Sequence, residues 1–191
     1  MARFGTTAAI VLMAFLFAVP PAQAAEVGGV RIDDHARAGS TDLILNGAGI
    51  RTRIFFKVYV GALYLPKKTN SAAAVIDSTE PRRIVLHMLR DLDADALFGA
   101  LLDGLRKNHG EAELAKLKPD TDQFERLMRS IGNAKTGDVI GIDFSKEGIM
   151  VAFNGEVRGS VASEAFGRAL LKVWLGDKPA DGDLKRAMLG G

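Results

Sequence analysis

One stretch constrains this chain more than any other: Gly47 to Leu65, reading GAGIRTRIFFKVYVGALYL. Ten of its residues are apolar, many of them β-branched or aromatic, which suits a pleated and largely buried strand. Its polar members are Arg51, Thr52, Arg53, Lys57, Tyr59 and Tyr64, and each needs a reason to be there. Strand alternation puts Phe56, Val58, Val60, Ala62 and Tyr64 on one face. It puts Lys57, Tyr59, Gly61, Leu63 and Leu65 on the other. The first face reads as sealed core, and the second, with a cation and a phenol, as the lining of a cleft. Arginine and lysine are seldom buried unpaired, so the plain reading makes Arg51 and Lys57 surface charges and Tyr59 an interfacial tyrosine. Their position inside the most strand-like run of the protein favours the cleft.

The rest of the chain supplies elements to pack against this stretch. Val27 to Ile32 and Thr41 to Asn46 read as short strands joined by a polar turn at Asp33 to Ser40. Ser71 caps a short alanine-rich helix through Ile76, and Pro81 stops that segment. Arg82 to Leu89 is a further strand. Asp93 is an N-cap for a helix over Ala94 to Asn108, with Leu97, Ala100, Leu101 and Leu105 at helical spacing. A second helical region runs from Glu111 to Ile131 and is expected to break at Pro119. Asp138 to Phe144, Ile149 to Phe153 and Glu156 to Val161 form three successive antiparallel strands, the last two joined by the strong turn signal Asn154-Gly155. Ser163 opens a helix over Ala165 to Leu175, Gly176 ends it, and Asp183 to Leu189 make one short final helix. Strands, helices, an antiparallel meander and helices again define an α+β fold, an antiparallel sheet with helices on one side.

The first 24 residues stand apart. Arg3 gives a minimal positive start, Ala8 to Val19 is a 12-residue apolar run, and Pro20-Pro21 ends it. Ala22-Gln23-Ala24 then fits a small-residue cleavage site before Ala25, the pattern of a secretory signal peptide. Residues 25–191 are expected to form one domain in the periplasm or outside the cell. Loss of residues 1–24 removes one cation, Arg3, and leaves a net charge of +1. A nearly neutral chain makes no electrostatic case for nucleic acid and offers no basic tail to anionic lipid. With no cysteine, disulfides, thiol catalysis and thiolate metal sites are all excluded.

Several motifs fail on inspection. Asp91, Asp93 and Asp95 alternate as in a calcium loop, but the sixth position is Ala96 and the twelfth Leu102. His35, His87 and His109 fall in different elements without ligand spacing, so no metal site is expected. Gly47-Ala48-Gly49 lacks the third glycine and following helix of a dinucleotide fingerprint. Gly176-Asp177-Lys178-Pro179 is no phosphate loop, and no cofactor is expected. Trp174 joins Phe166, Leu170 and Leu171 on a wide apolar helix face, which reads as core.

GAGIR followed by KVYVGALYLP resembles the chalcone isomerase-like proteins, and Phe166 to Gly190, with WLGDKP, LK and a closing LG, resembles their bacterial branch. The resemblance spans Val27 to Gly190 and implies an open-faced β-sandwich-like sheet backed by helices. It places Trp174 as a wall of a ligand cleft. Arg51 matches the arginine that stabilises the enolate-like oxygen in the plant isomerases. Tyr59 falls where those enzymes carry a threonine, and the fatty-acid-binding members pair the arginine with a tyrosine to hold a carboxylate. Ala96 and Asp103 fall where the isomerases use a tyrosine and an asparagine, which counts against their chemistry. The resemblance therefore implies a non-catalytic binder of a small apolar carboxylate such as a fatty acid, held by Arg51 and Tyr59 in an apolar cleft. A phenolic or enone substrate turned over by a lyase or isomerase is an alternative. A protein-interaction module with a vestigial cleft is another.

This reading carries a geometric demand. Eight residues of straight strand span about 26 Å at about 3.3 Å per residue, too far for Arg51 and Tyr59 to share one ligand. The chain must reverse between Thr52 and Phe56, through Thr-Arg-Ile-Phe-Phe, a sequence without Gly, Pro, Asn or Asp.

Overall fold

The central stretch does reverse. In the computed structural model, which describes residues 25–191, it forms two antiparallel strands, β4 (Thr41–Arg53) and β5 (Phe56–Leu65). The Arg53–Phe56 pair closes the hairpin, so Ile54 and Phe55 alone make the turn. Ile54 takes φ 59°, where two-residue hairpins ordinarily place glycine, and a β-branched residue is strained there. The signal peptide expected over residues 1–24 lies outside the described residues.

Around this hairpin the sheet grows in chain order. Strands β3 (His35–Ala38), β4, β5, β6 (Arg82–Met88), β7 (Val139–Ser145), β8 (Gly148–Phe153) and β9 (Glu156–Val161) lie side by side, every neighbour antiparallel. A separate two-stranded pair, β1 (Ala25–Val27) and β2 (Val30–Ile32), precedes them. The expected single strand from Val27 to Ile32 is thus a tight hairpin. Gly28 and Gly29 both take positive φ, 60° and 82°, and reverse the chain between them. Likewise the polar turn expected at Asp33 to Ser40 contains β3, because pairing with β4 outweighs the weak strand propensity of His-Ala-Arg-Ala.

Among the described residues five helices accompany the sheet: α1 (Ala72–Asp77), α2 (Ala94–Asn108), α3 (Glu111–Ile131), α4 (Glu164–Leu175) and α5 (Gly182–Met188). Their starts follow the capping chemistry of the sequence. Ser71, Asp93, Ser163 and Asp181 each accept a backbone N–H of the first turn. The break expected at Pro119 does not occur: α3 passes through the proline as one helix. Its apolar side, Leu117, Phe124, Leu127 and Met128, is buried on both sides of that residue, so packing holds the axis across one missing hydrogen bond.

Both faces of β5 are covered. On one, Tyr59, Leu63 and Leu65 join Leu97, Leu101 and Leu105 of α2, Phe124 of α3, and Trp174 and Leu170 of α4 in the main core. On the other, Val60, Ala62 and Tyr64 form a smaller core with Leu43 and Ile32, against which Val27 and Val30 also pack. Strict alternation, expected to keep Val58 with Val60, fails because Arg51 pairs with Tyr59 while Thr52 pairs with Lys57. Val58 is the extra residue of a bulge and turns toward the helix-side core.

The glycines of the GAG motif serve packing. A Cβ on Gly47 would stand 2.1 Å from the Ala187 carbonyl oxygen, and one on Gly49 would stand 2.6 Å from the Ala187 Cβ. Helix α5 therefore lies on bare β4 backbone. Buried Asn46 fastens the same corner, donating to the Met188 carbonyl at 2.7 Å and accepting from the Thr69 N–H at 2.8 Å.

Candidate functional site

By alternation Arg51 lies on the face of β4 that carries Gly47 and Gly49, beyond the end of the α5 footprint. It sits directly across from Tyr59 in the β4–β5 register. The guanidinium stands 5.5 Å from the Tyr59 ring centroid, within cation–π range. Its Nε is buried and has no hydrogen-bond partner among the described residues.

Behind this pair, α4 delivers Trp174. Its indole Nε1–H donates to the Tyr59 Oη at 2.9 Å, with both residues fully buried. Helix α4 comes this close to α2 because Gly104 has no side chain: a Cβ there would meet Val173 at 2.6 Å. Burial raises the Tyr59 pKa above its ordinary 10.0, and the Arg51 charge and the Trp174 donor offset this only in part. Tyr59 is therefore a neutral phenol whose oxygen accepts the indole hydrogen bond.

In front of Arg51 is a cavity of about 160 Å³. Arg51, Thr52 and Arg53 of β4 line one side and Ala100, Asp103, Gly104 and Lys107 of α2 the other, with Ala180 between. Tyr59 and Trp174 do not line it. The apolar cleft expected here is thus a small, charged recess, because α2 and α4 pack down on β5 and fill the space behind the arginine with Tyr59 and Trp174. Larger surface depressions of about 420 and 400 Å³ lie against the β7–β8 turn and between α2 and α3, and none of the three residues lines either one.

So the fold brings Arg51, Tyr59 and Trp174 together, and it leaves Lys57 exposed near the hairpin tip. Ala96 is exposed in the first turn of α2, away from the recess, whereas Asp103 is on its rim with Arg106 3.8 Å away. The three aspartates of the failed calcium pattern are each engaged: Asp91 by Lys135 and Thr136, Asp93 as the α2 cap, Asp95 by Arg129.

One residue of the site escaped the sequence reading. Asp181 accepts the Asp183 and Leu184 N–H groups through Oδ1, and through Oδ2 it accepts the N–H of Thr52 at 2.9 Å. It ties the start of α5 to the strand beside Arg51. An aspartate before a short helix signals the cap, but nothing local signals a partner 129 positions away.

Sheet order, one-sided helical cover and the recess at the C-terminal end of β4 define an α+β protein of the open-faced sandwich class. A chalcone isomerase-like family model matches residues 24–190, and the chain belongs to that family. Comparison with curated proteins brings up no match. Among solved structures, a fatty-acid binding protein of Arabidopsis thaliana superposes with a TM-score of 0.67 at 18% identity, covering 84% of this chain and 92% of its own. At that identity the likeness is one of fold.

Proposed function

We propose that this protein holds the carboxylate of a small apolar acid at Arg51, without turning it over. The observation that carries this reading is the buried, unpartnered Arg51 Nε beside a phenol that keeps its proton. A guanidinium offers a carboxylate a planar, paired grip, and Tyr59 and Trp174 back it from behind. The fatty-acid binding activity named for the Arabidopsis protein of the same fold supports the same ligand class.

The recess sets the size. Pockets for drug-sized ligands run to about 300–1,000 Å³, so about 160 Å³ takes a headgroup and a short chain. A long acyl tail requires α2 to move off the sheet. Isomerase chemistry finds little support: Ala96 offers no donor, and the Asp103 carboxylate on the rim repels a developing enolate.

Native mass spectrometry of protein isolated gently from its host is the test. The expected result is a bound carboxylic acid that is lost in Arg51→Ala while the circular dichroism of the fold is kept. Tyr59→Phe, which removes the acceptor of the Trp174 indole N–H behind the arginine and nothing that lines the recess, should weaken binding less than Arg51→Ala. Retention of the acid by Arg51→Ala, or stereoselective turnover of a chalcone by the wild type, overturns the reading.

A further inference from the structure

Four large apolar residues are conspicuously exposed in the described chain, and three are consecutive: Ile54 at 77%, Phe55 at 90% and Phe56 at 58%. They form the tip of the β4–β5 hairpin. Ile54 there keeps a positive φ that glycine would adopt without strain. Cations surround the tip. Arg53 and Lys57 flank it in sequence and are exposed, and the Arg90 guanidinium lies 4.8 Å from the Phe56 ring centroid. None of the three has an ion-pair partner among the described residues, although most other exposed arginines do. Lys107, on the rim of the recess, continues the positive ground behind Arg53.

We propose that this tip docks on an anionic phospholipid bilayer, with Ile54 and Phe55 entering the interface and Arg53, Lys57 and Arg90 resting on the headgroups. Apolar side chains ringed by unpaired cations match the layered chemistry of that surface, apolar below and negative above. A protein partner fits less well, because a specific interface buries about 800 Å² on each side, drawn from about 20–30 residues, and a two-residue turn supplies a small part of that. The charge arrangement is local to the folded tip, so the nearly neutral net charge of the chain does not oppose it. The inference is independent of what Arg51 holds. If the carboxylate reading is also right, the recess opens beside the membrane from which an apolar acid would come.

The test is flotation of the protein, as isolated from its host, with vesicles of phosphatidylcholine alone and with phosphatidylglycerol added. Wild type is expected to float with the anionic vesicles and to detach as salt rises. Phe55→Ser should lower the partition coefficient at least tenfold at an unchanged melting temperature, and Lys57→Glu should remove the preference for phosphatidylglycerol. Because all variants share one chain, any contribution from residues 1–24 is common to them. Phe55→Trp reads insertion directly: its added fluorescence should be quenched by lipids brominated on the acyl chain, against the background of buried Trp174. Equal flotation of wild type and Phe55→Ser, or an unquenched Phe55→Trp, overturns the proposal. So does a dimer in sedimentation that Phe55→Ser dissolves, which would make the occupant a second copy.

Discussion

At the scale of single residues, the candidate site is a chain of three side chains from three elements: Arg51 over Tyr59, and Tyr59 held by Trp174. Its tyrosine is neutral because it is dry, and the fold contains a second tyrosine in like condition. Tyr64 donates to the Asp33 carbonyl at 2.9 Å, and burial first, then Asp33 and Asp34, push its pKa to about 12 from 10.0. Unfolding frees both phenols to ionise near 10, while the folded state holds their protons longer. The contribution of Tyr64 to stability is thus complete below about pH 10 and is lost as pH rises toward 12, and that of Tyr59 is lost in the same direction. Urea unfolding across that window should show stability falling for wild type and falling less steeply for Tyr64→Phe. An equal slope in the two proteins would mean that Tyr64 is not shielded.

At the scale of elements, two strand features position the site. The bulge at Val58 aligns Tyr59 with Arg51, and the bare glycines of β4 seat α5 so that Asp181 reaches Thr52. Gly47→Ala tests the second. Its Cβ would collide with backbone, which cannot swing aside as a side chain can, and overpacking of this kind costs about 1–3 kcal/mol. For a domain of 150–250 residues that is roughly 2–12 °C in melting temperature, at about 2–4 °C per kcal/mol. Proteolysis in α5 should speed up as well. A wild-type melting temperature in Gly47→Ala would show that α5 is not seated on this strand.

At the scale of the whole molecule, a chain without cysteine rests on its two cores, one under the helices and one under β1 and β2. A chain of this kind gains nothing from an oxidising compartment. Export itself is our proposal from residues 1–24, and N-terminal sequencing of protein from the native host should return Ala25 as the first residue; Met1 or Ala2 would sink it. The α+β architecture was legible in the chain because its cues are local. Caps at Ser71, Asp93 and Ser163, the Asn154-Gly155 turn and the apolar spacing of α2 and α4 act within a few residues of themselves. Arg51 and Tyr59 stood out as polar residues in an apolar run, and the hairpin sets them side by side. What the tertiary structure alone decided were matters of distant contact: a hairpin turn through Ile54 and Phe55 that no turn residue announces, the proline carried inside α3, the indole hydrogen bond between residues 59 and 174, and the closing of the expected apolar cleft to a small charged recess. Each depends on packing energies summed over many residues far apart in sequence, and those outweigh the preference of a few neighbours for a different conformation.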